Sequence, residues 1–258
     1  MSGDQDIFHD SSADIVAISK VDVANLQAAG FDVESELMYE GLVEASVMSE
    51  TEGFSKIQWV EAGSYNFFQP VPDEDLGWRL HMADIATGKV LAAGGRHKVR
   101  DYVDLTLIHE NIMPLWHAIW AAPGKDASWS PISLAEKIAK SNQFAQEEID
   151  GEILSLTKLS APAIGSTIRE AIEEAISAFG QLPSETAGCL FVDEKGNIAT
   201  SLNEVLATDS NYKPIKASRG GAWPSGLDID HALISKIIEV YGTEGGKLTG
   251  EEPSGNKP

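Results

Sequence analysis

The chain has 258 residues, of which 43% are hydrophobic, and it contains six tryptophans. This is enough apolar material for one large core or two small ones, which excludes global disorder. The 40 acidic and 19 basic side chains give a formal net charge of −21, and such a field repels phosphate backbones. We therefore expect no nucleic-acid partner. Cations and basic proteins fit this charge, although a merely solvated acidic surface would explain it equally simply.

Compartment and membrane association are bounded by a few features. Cys189 is the single cysteine, so no intrachain disulfide can form, and the usual mark of a secreted domain is missing. The acidic N-terminus lacks the basic start and apolar run of a signal peptide, and no stretch approaches the roughly 18 uncharged apolar residues that cross a bilayer. We expect a soluble protein without membrane insertion, cytoplasmic by default, or periplasmic if a leader has been removed.

The front of the chain predicts a helical region followed by short strands. Residues 1–12 are polar and acidic, so we expect a mobile N-terminus. Apolar residues recur at helical spacing in residues 13–29, and Gly30 offers a left-handed stop, which predicts one or two short helices. Residues 37–108 are rich in Val, Ile, Thr and aromatic residues broken by turn formers, which favours short antiparallel strands.

Two segments within that region give the clearest strand predictions. Residues 78–84 and 89–92 flank Thr87-Gly88, which is typical of a hairpin. A further strand is predicted from apolar residues that share one parity, and therefore one face: Val99, Val103, Leu105 and Leu107.

Helical periodicity replaces this pattern after Pro131. Ser133 and Glu136 form a capping box ahead of a predicted helix at 132–146. Thr167 and Glu170 form a second box at the head of the strongest helix signal of the chain. That signal is a stripe with a step of four that ends at Gly180: Ile164, Ile168, Ile172 and Ile176.

The remaining back-half elements are short strands and a last helix. Residues 152–159 predict a strand, and residues 188–192 and 198–202 bracket a turn-rich loop of hairpin length. A final helix is predicted to begin near Asp228 or Asp230 and to end at Gly242.

Together these elements predict an α+β protein. Its N-terminal half is an antiparallel, β-sandwich-like structure, and its C-terminal half packs two or three helices on a small sheet. We assign residues 1–12 to a mobile N-terminus, 13–125 to a β-rich domain, 126–242 to an α+β domain and 243–258 to a disordered tail. The boundary near 122–131 fits a surface loop within one domain equally well.

Four of the six histidines fall within 37 residues: His81, His97, His109 and His117. Imidazole is the commonest neutral metal ligand. If the strands that carry His81 and His109 are neighbours, their Cβ atoms lie about 5 Å apart. The segment after Pro114 could bring His117 over the end of the sheet, with Asp84 or Glu110 as a carboxylate ligand or an orienting group.

Structural explanations compete with this metal site. His97 lies in the most basic pentapeptide of the chain, residues 96–100, and cationic neighbours oppose metal binding. His81 and His117 neighbour tryptophan and methionine residues, so each could be an ordinary half-buried histidine with one satisfied nitrogen.

Short motifs in the front half resemble those of the periplasmic iron-transport-associated, copper-binding proteins. These motifs are Leu80-His81-Met82-Ala83-Asp84-Ile85, Met113-Pro114-Leu115 followed by a histidine, and Met48 on an earlier predicted strand. The resemblance covers at most residues 37–121. It implies an immunoglobulin-like β-sandwich with Met48, His81 and His117 as metal ligands. The chain lacks the family's histidine followed by an aromatic residue and a glycine, and its helical back half has no counterpart there.

We therefore predict a non-catalytic binding protein that holds a transition-metal ion through His81, His109 and His117, with Met48 or Asp84 completing the shell. A thioether beside imidazole would favour copper, and a carboxylate-rich site would favour iron.

Two alternatives stay open. The first is a structural or assembly subunit, forming a homo-oligomer or binding a protein partner through acidic and aromatic surface. The second is a hydrolase-type enzyme using Cys189 or a histidine base. Cys189 opens an apolar run at 189–192, which favours an inert buried thiol, and a cysteine hydrolase would need His231 brought near by folding.

Overall fold

Two separate hydrophobic cores organise the chain. A computed structural model describes residues 4–9, 14–39, 41–49, 53–61, 65–74, 77–152 and 160–219. One cluster of apolar side chains lies within residues 7–59 and the other within residues 67–217. The gap between the cores therefore does not coincide with the boundary predicted near 122–131, because Ala121, Ala122 and Leu134 all belong to the second cluster.

The first core lies between one helix and one sheet. Its elements are β1 (Asp4–His9), α1 (Ile15–Ala28), β2 (Asp32–Tyr39), β3 (Leu42–Ser49) and β4 (Gly53–Glu61). The strand order is β1-β4-β3-β2, with β1 parallel to β4 and the other pairs antiparallel. The predicted helix in 13–29 is confirmed. Residues 4–9, which we expected to be mobile, form β1.

Alternation along the strands determines which face is buried. In β3, Val43, Ala45 and Val47 point towards α1, and Trp59 does so from β4. The Trp59 indole is fully buried, and its Nε1 donates a hydrogen bond of 2.8 Å to Asp22 Oδ2 on α1. The sheet is therefore fixed to α1 on one face, and the side chains of the other parity point away from the helix.

The second core is mainly helical. Its helices are α2 (Met82–Gly95), α3 (Val99–Asn111), α4 (Leu115–Ala121), α5 (Pro131–Ser141), α6 (Gln146–Glu152), α7 (Ala161–Phe179) and α8 (Leu202–Leu206). Three short antiparallel pairs accompany them: β5 (Tyr65–Asn66) with β10 (Ser218–Arg219), β6 (Val71–Asp73) with β7 (Gly77–Arg79), and β8 (Cys189–Val192) with β9 (Lys213–Lys216).

Helix α4 lies at the centre of this second core. All seven of its residues are buried, and it packs against α2, α3, α5, α7 and β8. A helix that is apolar on every side can be stable in water only when its neighbours surround it. The backbone also packs closely beside its C-terminal end, because a Cβ added at Gly124 would lie 2.1 Å from the Gly188 carbonyl oxygen.

The predicted hairpin at 77–93 and the strand at 99–107 are wrong. Only Gly77–Arg79 is strand there; Thr87 and Gly88 lie in the middle of α2, and residues 99–111 form α3. The buried side of α2 is lined by small residues at helical spacing, including Ala83, Ala86 and Ala93. Such residues carry little hydrophobic signal in the sequence, so the Thr-Gly pair was misread as a turn.

The sandwich-like front half is not confirmed either. In the described ranges the first core has a single four-stranded sheet, and α1 rather than a second sheet covers its buried face. What the structure shows is a mixed α and β protein in which strands dominate the first core and helices the second.

The predicted back-half helices at 132–146 and 164–179 are confirmed as α5 and α7 with different bounds, and α5 ends at Ser141 rather than at 146. Ser130 and Ser133 form the capping box of α5, and Ser160 caps α7, so both helices begin earlier than the predicted boxes indicated. The predicted strand at 152–159 lies outside the described residues except for Glu152, which ends α6. The predicted helix near 228–242 and the tail at 243–258 lie outside them entirely.

The predicted hairpin at 188–202 forms only in part. The chain does fold back, since Val192 bridges Ile198 and the Ala199 N–H donates to the Phe191 carbonyl at 3.0 Å. The strand partner of β8 is nevertheless β9, which follows later in the chain. No helix in the part of the chain that the structure describes is long and apolar enough to cross a bilayer.

Candidate functional site

His117 is fully buried in α4, and both of its ring nitrogens are engaged. The Phe191 backbone N–H donates to Nε2 at 2.8 Å, and Nδ1 lies 2.9 Å from the Ala199 carbonyl oxygen. Because a carbonyl can only accept, the proton resides on Nδ1. Burial lowers the pKa of His117 to about 4, although the bond to Ala199 acts in the opposite sense. The ring is therefore neutral near pH 7.

A metal ion bound at His117 would replace one of these two bonds. It would leave either the Phe191 N–H or the Ala199 carbonyl buried without its partner, at a cost of about 1–3 kcal/mol. The geometry around His117 therefore fits a bridge between α4 and the β8 region.

Asp84 has an equally complete set of partners. Its buried carboxylate accepts hydrogen bonds from the backbone N–H groups of Phe67 at 2.9 Å and Phe68 at 3.0 Å. The Lys125 ammonium lies 3.1 Å from Asp84 Oδ1 and donates to the Asp84 carbonyl at 3.2 Å. These bonds join the segment before β6, the first turn of α2 and the turn after α4.

His81 and His109 each use one nitrogen in a local backbone bond. His81 caps α2, with its Nδ1 accepting from the Ala83 N–H at 3.2 Å, and its ring centroid lies 4.1 Å from that of Phe68. Burial lowers the pKa of His81. His109 Nδ1 accepts from the Leu115 N–H at 3.3 Å. The predicted pairing of these histidines across neighbouring strands is wrong, because one caps a helix and the other lies within a helix.

The other predicted ligands also lie elsewhere. Met48 is on β3, in the unit of the first core, and its side chain is exposed. His97 follows α2, and its ring stacks on Phe144 with centroids 4.7 Å apart. Among the described residues, no group of three or more His, Cys, Asp and Glu side chains is placed to hold a metal ion. Binding of copper or iron therefore stays a prediction from the sequence.

Cys189 matches the inert thiol that we expected. It is buried in β8, and burial raises the pKa of its thiol, which opposes formation of the nucleophilic thiolate. His231, the residue that a cysteine hydrolase would need, lies outside the described residues.

The most unusual feature of the surface is the sheet face opposite α1, which we call the outer face. Strand register places Phe8 beside Val60, Val60 beside Leu42, and Leu42 beside Tyr39. These four residues, the apolar row, cross all four strands over about 14 Å. Phe8 is 48% exposed and Tyr39 is 64% exposed, while Val60 and Leu42 are partly exposed.

An ion-pair network occupies the middle of the outer face. Lys56 Nζ lies 2.6 Å from Glu44 and 3.0 Å from Glu36. Gln58 donates to Glu44, and Ser46 donates to Glu36. These bonds raise the pKa of Lys56 and lower that of Glu36. The network joins β2, β3 and β4 at the surface, so the polar groups beside the apolar row have a fixed arrangement.

The far end of the outer face is apolar again. Met48 and Phe54 are direct cross-strand neighbours on β3 and β4, and they are 54% and 58% exposed. The outer face therefore has apolar side chains at both ends and charged side chains between them.

The edge of β2 is poorly suited to accept another strand. Its register shifts between Ser35 and Leu37, and the strand carries three exposed carboxylates, Asp32, Glu34 and Glu36. Bulges and charged side chains are common means of preventing edge-to-edge pairing. A partner is therefore better accommodated on the outer face than at this edge.

The sequence reasoning overlooked the outer face. A local signal existed, because both parities of β3 carry apolar residues: Val43 and Val47 on one side, Leu42 and Met48 on the other. The apolar row itself depends on the register among strands that are distant in sequence, which periodicity does not determine.

Comparison of the chain with protein-family models, with curated proteins and with solved structures gave no match. The interpretation of the site therefore depends on its own geometry.

The depressed pKa of His117 predicts acid sensitivity. The unfolded chain binds a proton near pH 6.5, whereas the folded ring does so only near pH 4. The contribution of the neutral His117 ring to the free energy of unfolding is complete above pH 6.5 and is lost as pH falls through the folded-state pKa. The free energy of unfolding therefore falls by about 3 kcal/mol over this range. Urea unfolding between these pH values measures the loss. We expect a shallower pH dependence in His117→Gln than in the wild type. Equal slopes in wild type and His117→Gln would contradict this assignment.

The buried ion pair of Asp84 with Lys125 should stabilise the fold much more than the partly exposed pair of Asp104 with Lys89. Asp84→Asn leaves Lys125 without its buried counter-charge, and we expect the free energy of unfolding to fall by about 3–5 kcal/mol. The matched control is Asp104→Asn, which breaks the partly exposed pair with Lys89, where we expect less than about 1 kcal/mol. Chemical denaturation of both variants measures the difference, and similar losses would show that the Asp84 bonds are not a central support of the fold.

Proposed function

We propose that this protein is a non-catalytic interaction subunit that binds a partner protein through the outer face. The apolar row is the observation that carries the proposal. Single exposed apolar residues are normal on protein surfaces, whereas apolar residues aligned across adjacent strands form a continuous patch. Burial of such a patch by a partner is favourable in proportion to the apolar area that it removes from water.

A non-catalytic role is also supported by the state of the polar groups in the second core. His117 and Asp84 use their hydrogen-bonding atoms to connect secondary-structure elements. The Cys189 thiol is buried and its pKa is raised. These contacts give no support to a transition-metal role for His81, His109, His117, Met48 and Asp84, nor to a hydrolase mechanism.

The dimensions of the outer face favour a transient complex. Four strands of about eight residues present roughly 500 Å² of sheet surface. A stable interface of standard size buries about 800 Å² on each partner, and smaller ones are typical of transient encounters. We therefore expect an affinity in the micromolar range unless the partner also contacts surfaces beyond the sheet.

Site-specific photo-crosslinking tests the proposal. A benzophenone amino acid replaces Tyr39 on the outer face or, in a matched control, Leu107, which is 52% exposed on α3. Irradiation in the native cells should give an adduct of defined mass from position 39 and none from position 107. The adduct should disappear when Phe8→Ser and Leu42→Ser are added, because they remove two of the four apolar side chains of the row and leave the second core unchanged.

Two results would contradict the proposal: the absence of an adduct from position 39, and an adduct that persists after Phe8 and Leu42 are replaced. An adduct with twice the mass of the chain would support binding through the outer face and would identify the partner as a second copy.

A further inference from the structure

We infer that the outer face recognises a cationic, amphipathic helix, whose apolar side chains cover the apolar row and whose Lys or Arg side chains meet the neighbouring carboxylates. This inference rests on the proposed function and names the class of partner. Three observations support it: the negative charge of the outer face, the length of the apolar row, and the fact that Lys56 is already paired with Glu36 and Glu44.

The carboxylates lie next to the apolar row. A second line of side chains lies two residues further along each strand, about 7 Å from the row. The register places Leu37, Glu44, Gln58 and Asp6 side by side in this line. Glu34 and Asp32 follow further along β2, on the same face and exposed. A side chain of lysine or arginine length can span the distance from a helix on the row to Glu44 and Asp6. Glu34 and Asp32 lie about 13 Å and about 20 Å along the strands from the row, so they attract a cationic helix through their charge without direct contact.

The charges of the outer face are not balanced within it. Its described carboxylates are Asp6, Asp32, Glu34, Glu36 and Glu44, and Lys56 is the described cation among them. Lys56 is already held by Glu36 and Glu44, and the charge of Asp6 acts on Arg96. Asp32 and Glu34 have no ion-pair partner in the described ranges. Their charge is therefore uncompensated in the described ranges, and it attracts a cationic partner to the outer face.

This charge disfavours two other partners. A second copy would bring the same carboxylates face to face, on a chain whose net charge is −21, and an acidic partner would meet the same repulsion. A cationic partner would be attracted from a distance. Because the carboxylates are exposed, this attraction should increase the association rate and the specificity more than the affinity, and it should weaken with salt.

The apolar row suits a short helix. About nine or ten helical residues span 14 Å at a rise of 1.5 Å per residue. Over that length, apolar side chains at positions i, i+3, i+4 and i+7 form one stripe, which leaves the flanks of the helix for basic residues. This is the pattern of helices that bind apolar surfaces through a few anchoring side chains.

Three labelled peptides test the inference on the full-length chain. The first is a helix of about 18 leucine and lysine residues with leucine on one face; the second has the same composition in scrambled order; the third has glutamate in place of lysine. Fluorescence anisotropy at about 0.05 M and 0.15 M salt measures their affinities. We expect micromolar binding of the first peptide, weaker at higher salt, and at least about tenfold weaker binding of the other two.

Variants of the protein locate the binding surface. Phe8→Ser with Tyr39→Ser should weaken binding of the first peptide at least about tenfold, whereas the control Leu107→Ser should leave the affinity for this peptide unchanged. Asp32→Asn with Glu34→Gln should weaken binding of the first peptide about threefold and reduce the salt dependence of that binding. Thermal unfolding of each variant checks that the fold is retained.

The failures of the two proposals are distinguishable. Equal binding of the lysine and glutamate peptides, or of the ordered and scrambled peptides, would overturn the cationic helix as partner, while an adduct from position 39 would still support the outer face. Binding that appears only after residues 220–258 are removed would also overturn it, because a segment of the same chain would then compete for the face. Binding that Phe8→Ser with Tyr39→Ser does not weaken would also overturn the inference, whereas the proposed function fails only if position 39 gives no adduct or the adduct persists after Phe8 and Leu42 are replaced.

Discussion

The second core depends on a neutral imidazole at its centre. Helix α4 is buried on all sides, and His117 within it makes the two hydrogen bonds that join it to Phe191 and Ala199. A charged ring could not accept the Phe191 N–H, and it would place an uncompensated charge in an apolar interior. The same unit also fixes Asp84 between two backbone N–H groups and Lys125. The buried polar groups of His117 and Asp84 thus serve cohesion, because each is satisfied by a partner from another element.

The first unit differs from the second because apolar side chains remain exposed on one face of its sheet. Trp59 and its neighbours complete the contact with α1 on one face, whereas Phe8, Tyr39, Met48 and Phe54 remain exposed on the other. A sheet in water usually has one apolar face and one polar face. The outer face departs from that rule at both of its ends and follows it in the middle, where Lys56 holds Glu36 and Glu44. We interpret this departure as the functional part of the molecule.

Local signals in the sequence predicted a substantial part of the fold. Helices α1, α5 and α7 carry clear stripes and stops, and Cys189 lies in the apolar strand that its neighbours indicated. Helix α2 was missed because its small buried residues and a Thr-Gly pair resemble a strand and a turn. Helix α3 was missed because Val99, Val103, Leu105 and Leu107 also fit the parity of a strand, and only packing around α4 selects the helix. The histidines are close in sequence, yet their spacing does not determine which backbone group each ring meets. The apolar row depends on a register that links β1 to β4 across the whole first unit.

The central claim is that the outer face is covered in the cell and open in the isolated protein. Residue-resolved carbene footprinting measures this directly, by comparing the labelling of Phe8 and Tyr39 in the purified chain with that in intact cells. Ile132 and Ile176, exposed apolar residues of the second unit, serve as internal references. The account predicts that Phe8 and Tyr39 lose most of their labelling in cells, while both isoleucines keep theirs. Equal labelling of Phe8 and Tyr39 in the two settings would contradict it.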